Sequence, residues 1–180
     1  MAIAKVRMTE EEFIRMPDDG RKYELVDGEA KEVPGGVEQD VIGAQLIVLL
    51  HPFTKGRGFL TAAQAGFRMH SRNVRVPDVS FTLKDRFPGG RPPKGFGDLA
   101  PDLCIEIISP FEDWPDALRK IEEYFATGAQ QVWHLLPETR QVVVYRSPTE
   151  KATFEAAEEL EGGDLLPGFR CRVADLFDIE

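Results

Sequence analysis

Residues 101–110 read PDLCIEIISP, an apolar run of strand length built from Leu103, Cys104, Ile105, Ile107 and Ile108 with the carboxylate of Glu106 at its centre. Strands this apolar are buried on both faces of a sheet. An unpaired charge in such a place is costly, so something compensates Glu106: a bound cation, a basic partner, a protonated state, or a register that opens it to a cleft.

The segments around that strand set its context. Thr9 and Glu12 have capping-box spacing ahead of EEFIRM, which predicts a short helix. KYELV and EAKEV flank Asp27-Gly28 as the two arms of a hairpin. Helical spacing of apolar residues predicts the first long helix over Val37–Leu50. FLTAAQAGFRM and VRVPDVSFTL read as extended, separated by a turn at 71–73. The stretch 84–100 has seven Pro or Gly in seventeen positions and reads as an irregular loop. After the CIEII strand come a helix over Trp114–Thr127, strands at QVWHLL and QVVVYR, further strands near Thr153–Ala157 and FRCRV, and a last turn at ADLF. Strands and helices interleaved in this way predict one α/β or α+β domain over residues 1–180, with CIEII central in a mixed sheet and a crossover helix behind it.

Composition narrows the function. The chain has 180 residues and a net charge of −9, which argues against a protein that coats nucleic acid non-specifically. Charge is uneven, however. Residues 9–40 hold eleven acids against four bases and residues 150–180 nine against three, whereas 66–94 hold seven Lys or Arg against two acids. The bland reading of that basic segment is a solvated loop. The start MAIAKVRMTEEEF turns acidic too early for a secretory leader, and no apolar run approaches a membrane span, so a cytoplasmic protein with no membrane partner is expected. Cys104 and Cys171 read as buried free thiols, with a disulfide left open.

Glu106 has a companion in Asp78. Alternation along VRVPDVSFTL puts Asp78, Ser80 and Thr82 on one face and Val79, Phe81 and Leu83 on the other. Sequential strands are usually neighbours, so Asp78 and Glu106 are expected to face each other, and a hard cation such as Mg²⁺ would relieve their repulsion. On the helix that follows, Trp114, Ala117, Leu118, Ile121, Tyr124, Phe125 and Gly128 form one stripe toward the sheet at about 100° per residue. Arg119 points away. Lys120 lies at the margin of the stripe, where it is either a surface lysine or an ammonium that reaches the strand ends. Trp114 and Trp133 read as core, and His134 as a satisfied sheet residue.

YELVDGE at 23–29, VPD at 76–78, PDLCIEIISP, the Lys120-x-x-x-Tyr124-x-x-x-Gly128 helix and QVWHLLP, in that order, resemble the Uma-type endonuclease family of the PD-(D/E)xK superfamily. The resemblance runs from about Tyr23 to Tyr145. It implies a restriction-endonuclease-like fold, a central mixed sheet flanked by helices, with Asp78, Glu106 and the Ile107 backbone carbonyl as ligands of Mg²⁺ or Mn²⁺. The superfamily lysine normally follows the Glu by two positions, here Ile108; the Uma-type pattern takes it from the next helix, at Lys120. The YELVDGE match adds Glu24 as a further carboxylate of the site, against the alternative of an outward polar residue on the hairpin. The implied activity is metal-assisted hydrolysis of phosphodiester bonds in DNA, with Arg68, Arg72, Arg75, Arg86, Arg91 and Lys94 contacting phosphates. A homodimer or higher homo-oligomer is the expected assembly.

Departures from the pattern are Ala129-Gln130-Gln131 in place of valine-proline-glutamate, Leu136 in place of aspartate, and loss of a histidine near Glu38. A glutamate at position 131 could have positioned the lysine. Two other classes therefore stay open: a catalytically silent nuclease-fold protein that binds nucleic acid or a protein partner, and an oligomeric structural protein in which Lys120 pairs with buried acids.

Overall fold

The computed structural model describes residues 7–17, 19–33, 35–110 and 113–179. The Thr9 hydroxyl accepts from the Glu12 N–H at 3.2 Å and the Glu12 carboxylate from the Thr9 N–H at 2.7 Å, closing the capping box on α1 (Glu10–Ile14). β1 (Tyr23–Val26) and β2 (Glu29–Glu32) pair antiparallel. Asp27 and Gly28 between them have φ of 53° and 76°, the left-handed pair that a two-residue primed turn requires.

α2 (Val37–Thr54) buries Ile42, Leu46, Leu50 and Thr54, four residues apart. It continues past the expected end through Pro52, and the Thr54 hydroxyl donates to the Leu50 carbonyl at 3.1 Å in the last turn. The extended stretch after it divides into β3 (Gly58–Ala62) and β4 (Phe67–Arg68), which join different sheets. β5 (Val74–Arg75) and β6 (Val79–Leu83) follow. The Pro/Gly-rich loop holds 3-10 turns at Lys84–Arg86 and Pro88–Gly90, then enters β7 (Leu103–Ile107).

α3 (Trp114–Ala126) ends at Gly128, whose φ of 104° lets the Ala129 N–H reach back to the Tyr124 carbonyl at 2.9 Å. β8 (Gln131–Leu136), β9 (Gln141–Tyr145), β10 (Lys151–Phe154), β11 (Glu159–Glu161) and β12 (Arg170–Arg172) complete the strands, and a 3-10 turn covers Val173–Leu176. β10 begins and ends earlier than the segment expected near Thr153–Ala157.

The main sheet has the order β10-β9-β8-β7-β6-β3, with β7 and β8 parallel and the other pairs antiparallel, so it is mixed and CIEII is central. A four-stranded sheet, β2-β1-β5-β4, and the β11-β12 pair stand beside it. The period of two along β7 divides the interior. Leu103, Ile105 and Ile107 join a core with Ile42, Leu46 and Leu50 of α2, while Cys104 joins a second core with Ile121 and Tyr124 of α3. Glu106 shares the parity of Cys104 and therefore faces α3.

Among the described residues no helix is long and apolar enough to cross a membrane. Both cysteines are free, Cys104 buried and Cys171 half-buried. Trp133 is core as expected, but Trp114 and Leu118 are about half exposed, at 49% and 51%. The inward face of α3 instead carries Ala117, Lys120, Ile121, Glu123 and Tyr124. It is rotated toward the two charged residues because both have buried partners of opposite charge.

Candidate active site

The paired strands β6 and β7 set Val79 against Ile105 and Ser80 against Cys104, all buried. One position beyond Val79, Asp78 comes level with Glu106. The Asp78 carboxylate accepts the Ile107 N–H on Oδ2 at 2.8 Å and the Lys22 ammonium on Oδ1 at 3.0 Å. The Ile107 carbonyl accepts the Gln39 amide at 2.7 Å.

Glu106 is 5% exposed and lies between two donors from successive turns of α3. Lys120 Nζ is 3.2 Å from Oε2 and the Tyr124 hydroxyl donates to Oε1 at 2.6 Å. Lys120 also lies 3.4 Å from Glu24 Oε1. Burial pushes the Glu106 carboxyl up, Lys120 draws it back, and Asp78 and Glu24 raise it again, leaving it at about 7. Burial disfavours the Lys120 cation, yet Glu106 and Glu24 outweigh it and hold the ammonium protonated above the usual lysine range. Burial also drives the Tyr124 hydroxyl well above its ordinary value, with the Glu106 charge adding to it, so Tyr124 stays a donor.

Behind Lys120 stands a second layer centred on Arg75. Leu25 of β1 pairs with Val74 of β5, so Glu24 and Arg75 fall level on adjacent strands. Arg75 is fully buried and donates to Glu24 Oε2 at 2.8 Å, to Glu123 at 2.6 Å and to both oxygens of Asp116 at 3.1 and 3.2 Å. The Val76 N–H donates to Glu24 Oε1 at 2.9 Å. Burial alone would raise the Glu24 carboxyl, but Lys120 and Arg75 bring it below the ordinary value.

Lys120 thus bridges Glu106 and Glu24, while Asp78 acts on Glu106 from the paired strand and holds the N–H of Ile107, the next residue. Among the described residues no group of three or more His, Cys, Asp or Glu side chains forms a ready metal cluster. The oxygens offered are those of two carboxylates and one carbonyl, a hard donor set that suits Mg²⁺ or Mn²⁺, with a cation already resting on Asp78.

A profile of the Uma2 family, described as "Putative restriction endonuclease", matches residues 10–174. The chain belongs to the Uma2 family. Among solved structures, a "putative nuclease belonging to DUF820" from Anabaena variabilis ATCC 29413 superposes with a TM-score of 0.83 at 22% identity, covering 96% of this chain and 98% of that one. The fold is restriction-endonuclease-like. No curated protein matches.

The basic segment of this Uma2 protein differs from the expected phosphate-binding row. Arg75 cannot contact DNA, because it is fully buried and saturated by Glu24, Asp116 and Glu123. Arg86 is committed to the buried Asp102 at 2.7 Å and to the Gly128 and Ala100 carbonyls. Arg68 is partly buried and paired with Glu10. Arg72, Arg91 and Lys94 are exposed.

Gln131 is occupied elsewhere in the Uma2 fold, accepting from the Trp133 indole at 2.9 Å and donating to the Gly162 carbonyl at 3.2 Å. Its substitution for glutamate takes no partner from Lys120. His134 lies level with Glu106 on β8 and is buried, but neither ring nitrogen has a hydrogen-bond partner among the described residues, so it is not the satisfied histidine expected.

Lys22, Gln39, Arg75, Asp116 and Glu123 were not legible as site residues. Arg75 did carry a signal. It is a charge flanked by valines in a strand, the pattern that singled out Glu106.

Proposed function

We propose that this chain is a Mg²⁺-dependent endonuclease, with Mn²⁺ as an alternative ion, that hydrolyses phosphodiester bonds of DNA at Asp78, Glu106, Lys120 and Glu24. The observation that carries the reading is Glu106, buried between Lys120 and Tyr124, with Asp78 on the paired strand. A buried carboxyl poised near neutrality beside a fixed cation is a pattern concentrated at functional sites. Asp78, Glu106 and the Ile107 carbonyl would hold the ion. Such an ion polarises a phosphoryl oxygen and lowers the pKa of water.

The chain's own groups supply the rest. Lys120, kept protonated by its two carboxylates, donates toward negative charge that develops on the phosphate and orients the attacking water. Glu24 acts through Lys120, since Arg75 and the Val76 N–H fix its carboxylate. Tyr124 fixes the orientation of Glu106. Arg72, Arg91 and Lys94 supply phosphate contacts outside the site. The proposal takes residues 1–180 as one domain, working in the cytoplasm as a homodimer or higher homo-oligomer, which light scattering tests.

The deciding experiment is cleavage of plasmid and single-stranded DNA with Mg²⁺, Mn²⁺ or chelator, beside Asp78→Asn, Glu106→Gln and Lys120→Met. Ion-dependent cutting that falls at least about a hundredfold in each folded variant supports the reading. Cutting that survives chelator or all three substitutions overturns it.

One observation favours a second reading, a catalytically silent nuclease fold that binds nucleic acid or a protein partner. Each carboxylate oxygen of Asp78, Glu106 and Glu24 already receives an internal donor, as a purely structural ion network would. That reading predicts no cutting with either ion, and DNA or partner binding indifferent to chelator.

A further inference from the structure

The side chains on the open side of Asp78 have no part in the chemistry proposed above. Lys22 precedes β1, and its ammonium rests 3.0 Å from Asp78 Oδ1, with only 14% and 23% of the two side chains exposed. The ammonium also acts electrostatically on Glu106, opposing the effects of burial and of Asp78. Next to it, Gln39 is stretched between two backbone groups, accepting the Gly36 N–H at 2.9 Å and donating to the Ile107 carbonyl at 2.7 Å. Lys22, Gln39 and Asp78 together line a cavity of about 270 Å³ whose other walls include the small residues Gly43, Ala44 and Ala62. The carboxylate of Asp78 at this cavity is therefore covered by a donor of the protein itself, and that donor is a full positive charge.

We infer that Lys22 is an internal stand-in for the divalent cation: its ammonium occupies the outer side of Asp78 in the metal-free protein and is displaced into the adjoining cavity when the ion binds. The inference rests on the metal-site reading of Asp78 and Glu106. Its physical basis is competition. Two cations on one carboxylate repel each other and divide its charge between them, so the ion binds less tightly while Lys22 rests on Asp78 Oδ1, and the pair keeps two neighbouring carboxyl groups compatible with folding when no ion is present. Lys120 cannot take this part, because it is buried on α3 and held by Glu24 and Glu106 from the other side.

The test is calorimetric titration of Mn²⁺ into the chelator-treated 180-residue chain, comparing wild type, Lys22→Met, Lys22→Gln and Asp78→Asn, with thermal melts in chelator and in Mn²⁺. The expected result is that both Lys22 variants bind Mn²⁺ about two- to fivefold more tightly than wild type, the scale of a partly exposed ion pair released. Both also melt lower than wild type in chelator and gain more from Mn²⁺. Because the Lys22 side chain is not fully buried, at least one of the two substitutions is expected to fold. Equal or weaker Mn²⁺ binding in the folded Lys22 variants overturns the inference while leaving the metal site standing. Absence of Mn²⁺ binding in wild type and variants alike, with no effect of Asp78→Asn, overturns the metal-site reading itself.

Discussion

Tyr124 donates its phenolic hydrogen to Oε1 of Glu106 at 2.6 Å, from one turn of α3 beyond the lysine that holds the other oxygen. The two donors are four residues apart on one helix, so a single rigid element clamps both sides of the carboxylate. Tyr124→Phe deletes one jaw without changing the ring volume. It leaves a buried acceptor unmatched and is expected to cost about 1–3 kcal/mol, read from the midpoint of urea unfolding. A change within experimental scatter would mean that Glu106 turns freely to another donor.

Arg75 is the residue on which the second layer depends. Arg75→Met leaves Glu24, Glu123 and Asp116 without their shared cation, and breaking a buried pair of this kind costs about 3–5 kcal/mol. Arg75→Lys keeps the charge but cannot span three carboxylates, so most of that loss is expected to remain. Urea unfolding of both variants checks the ordering. A lysine variant as stable as wild type would refute the idea that the planar fork matters.

His134 makes acid stability a specific expectation. Burial first, then the charges of Lys120 and Lys151, depress its imidazole from 6.5 to about 4. The unfolded chain protonates this histidine near pH 6.5 and the folded chain only near pH 4, so the unfolded state binds more protons between those values. Stability attributable to His134 is complete above pH 6.5 and is lost as pH falls toward 4, by about 3 kcal/mol in all. His134→Leu removes the titration and both unpartnered nitrogens. The difference in urea stability between variant and wild type should widen from pH 7 to pH 4.5, and a constant difference would contradict the assignment.

The basic segment divides into arginines held by internal partners and exposed bases, and salt dependence separates them. Arg86→Ala frees the buried Asp102, which also accepts the Leu83 N–H and the Gln130 amide. It is expected to lower stability by about 2 kcal/mol and leave DNA affinity nearly unchanged. On the proposed DNA-cleaving reading, Arg91→Ala and Lys94→Ala are expected to do the reverse: stability is retained, binding weakens on every sequence, and each substitution reduces the slope of log affinity against log salt by about 0.9. Fluorescence anisotropy over a salt series distinguishes these outcomes.

Local chemistry in the chain determined the elements and much of the site. The Thr9–Glu12 box, the Asp27-Gly28 turn, the apolar spacing of α2 and the alternation of β6 and β7 depend on neighbours within a few residues, so they were readable in order. Asp78 and Glu106 were readable as a facing pair for a different reason, since consecutive strands are usually neighbours in the sheet. The ordered motifs matched a family pattern that the Uma2 profile bears out.

What the chain could not announce were relationships between distant segments. Arg75 stood in a basic stretch with valines on either side, which marked it as a charge in need of a partner, but only the approach of β1 and α3 supplied three acids. Helical spacing gave a broad apolar stripe on α3, but the rotation that turned Lys120 inward and Trp114 outward followed from where Glu106, Glu24 and Arg75 already stood. Lys22 reaches Asp78 across 56 positions of sequence. Charge pairs of this range are chosen by which surfaces the fold brings together and dries, so sequence determines that a carboxylate needs a partner, and tertiary structure decides which one it receives.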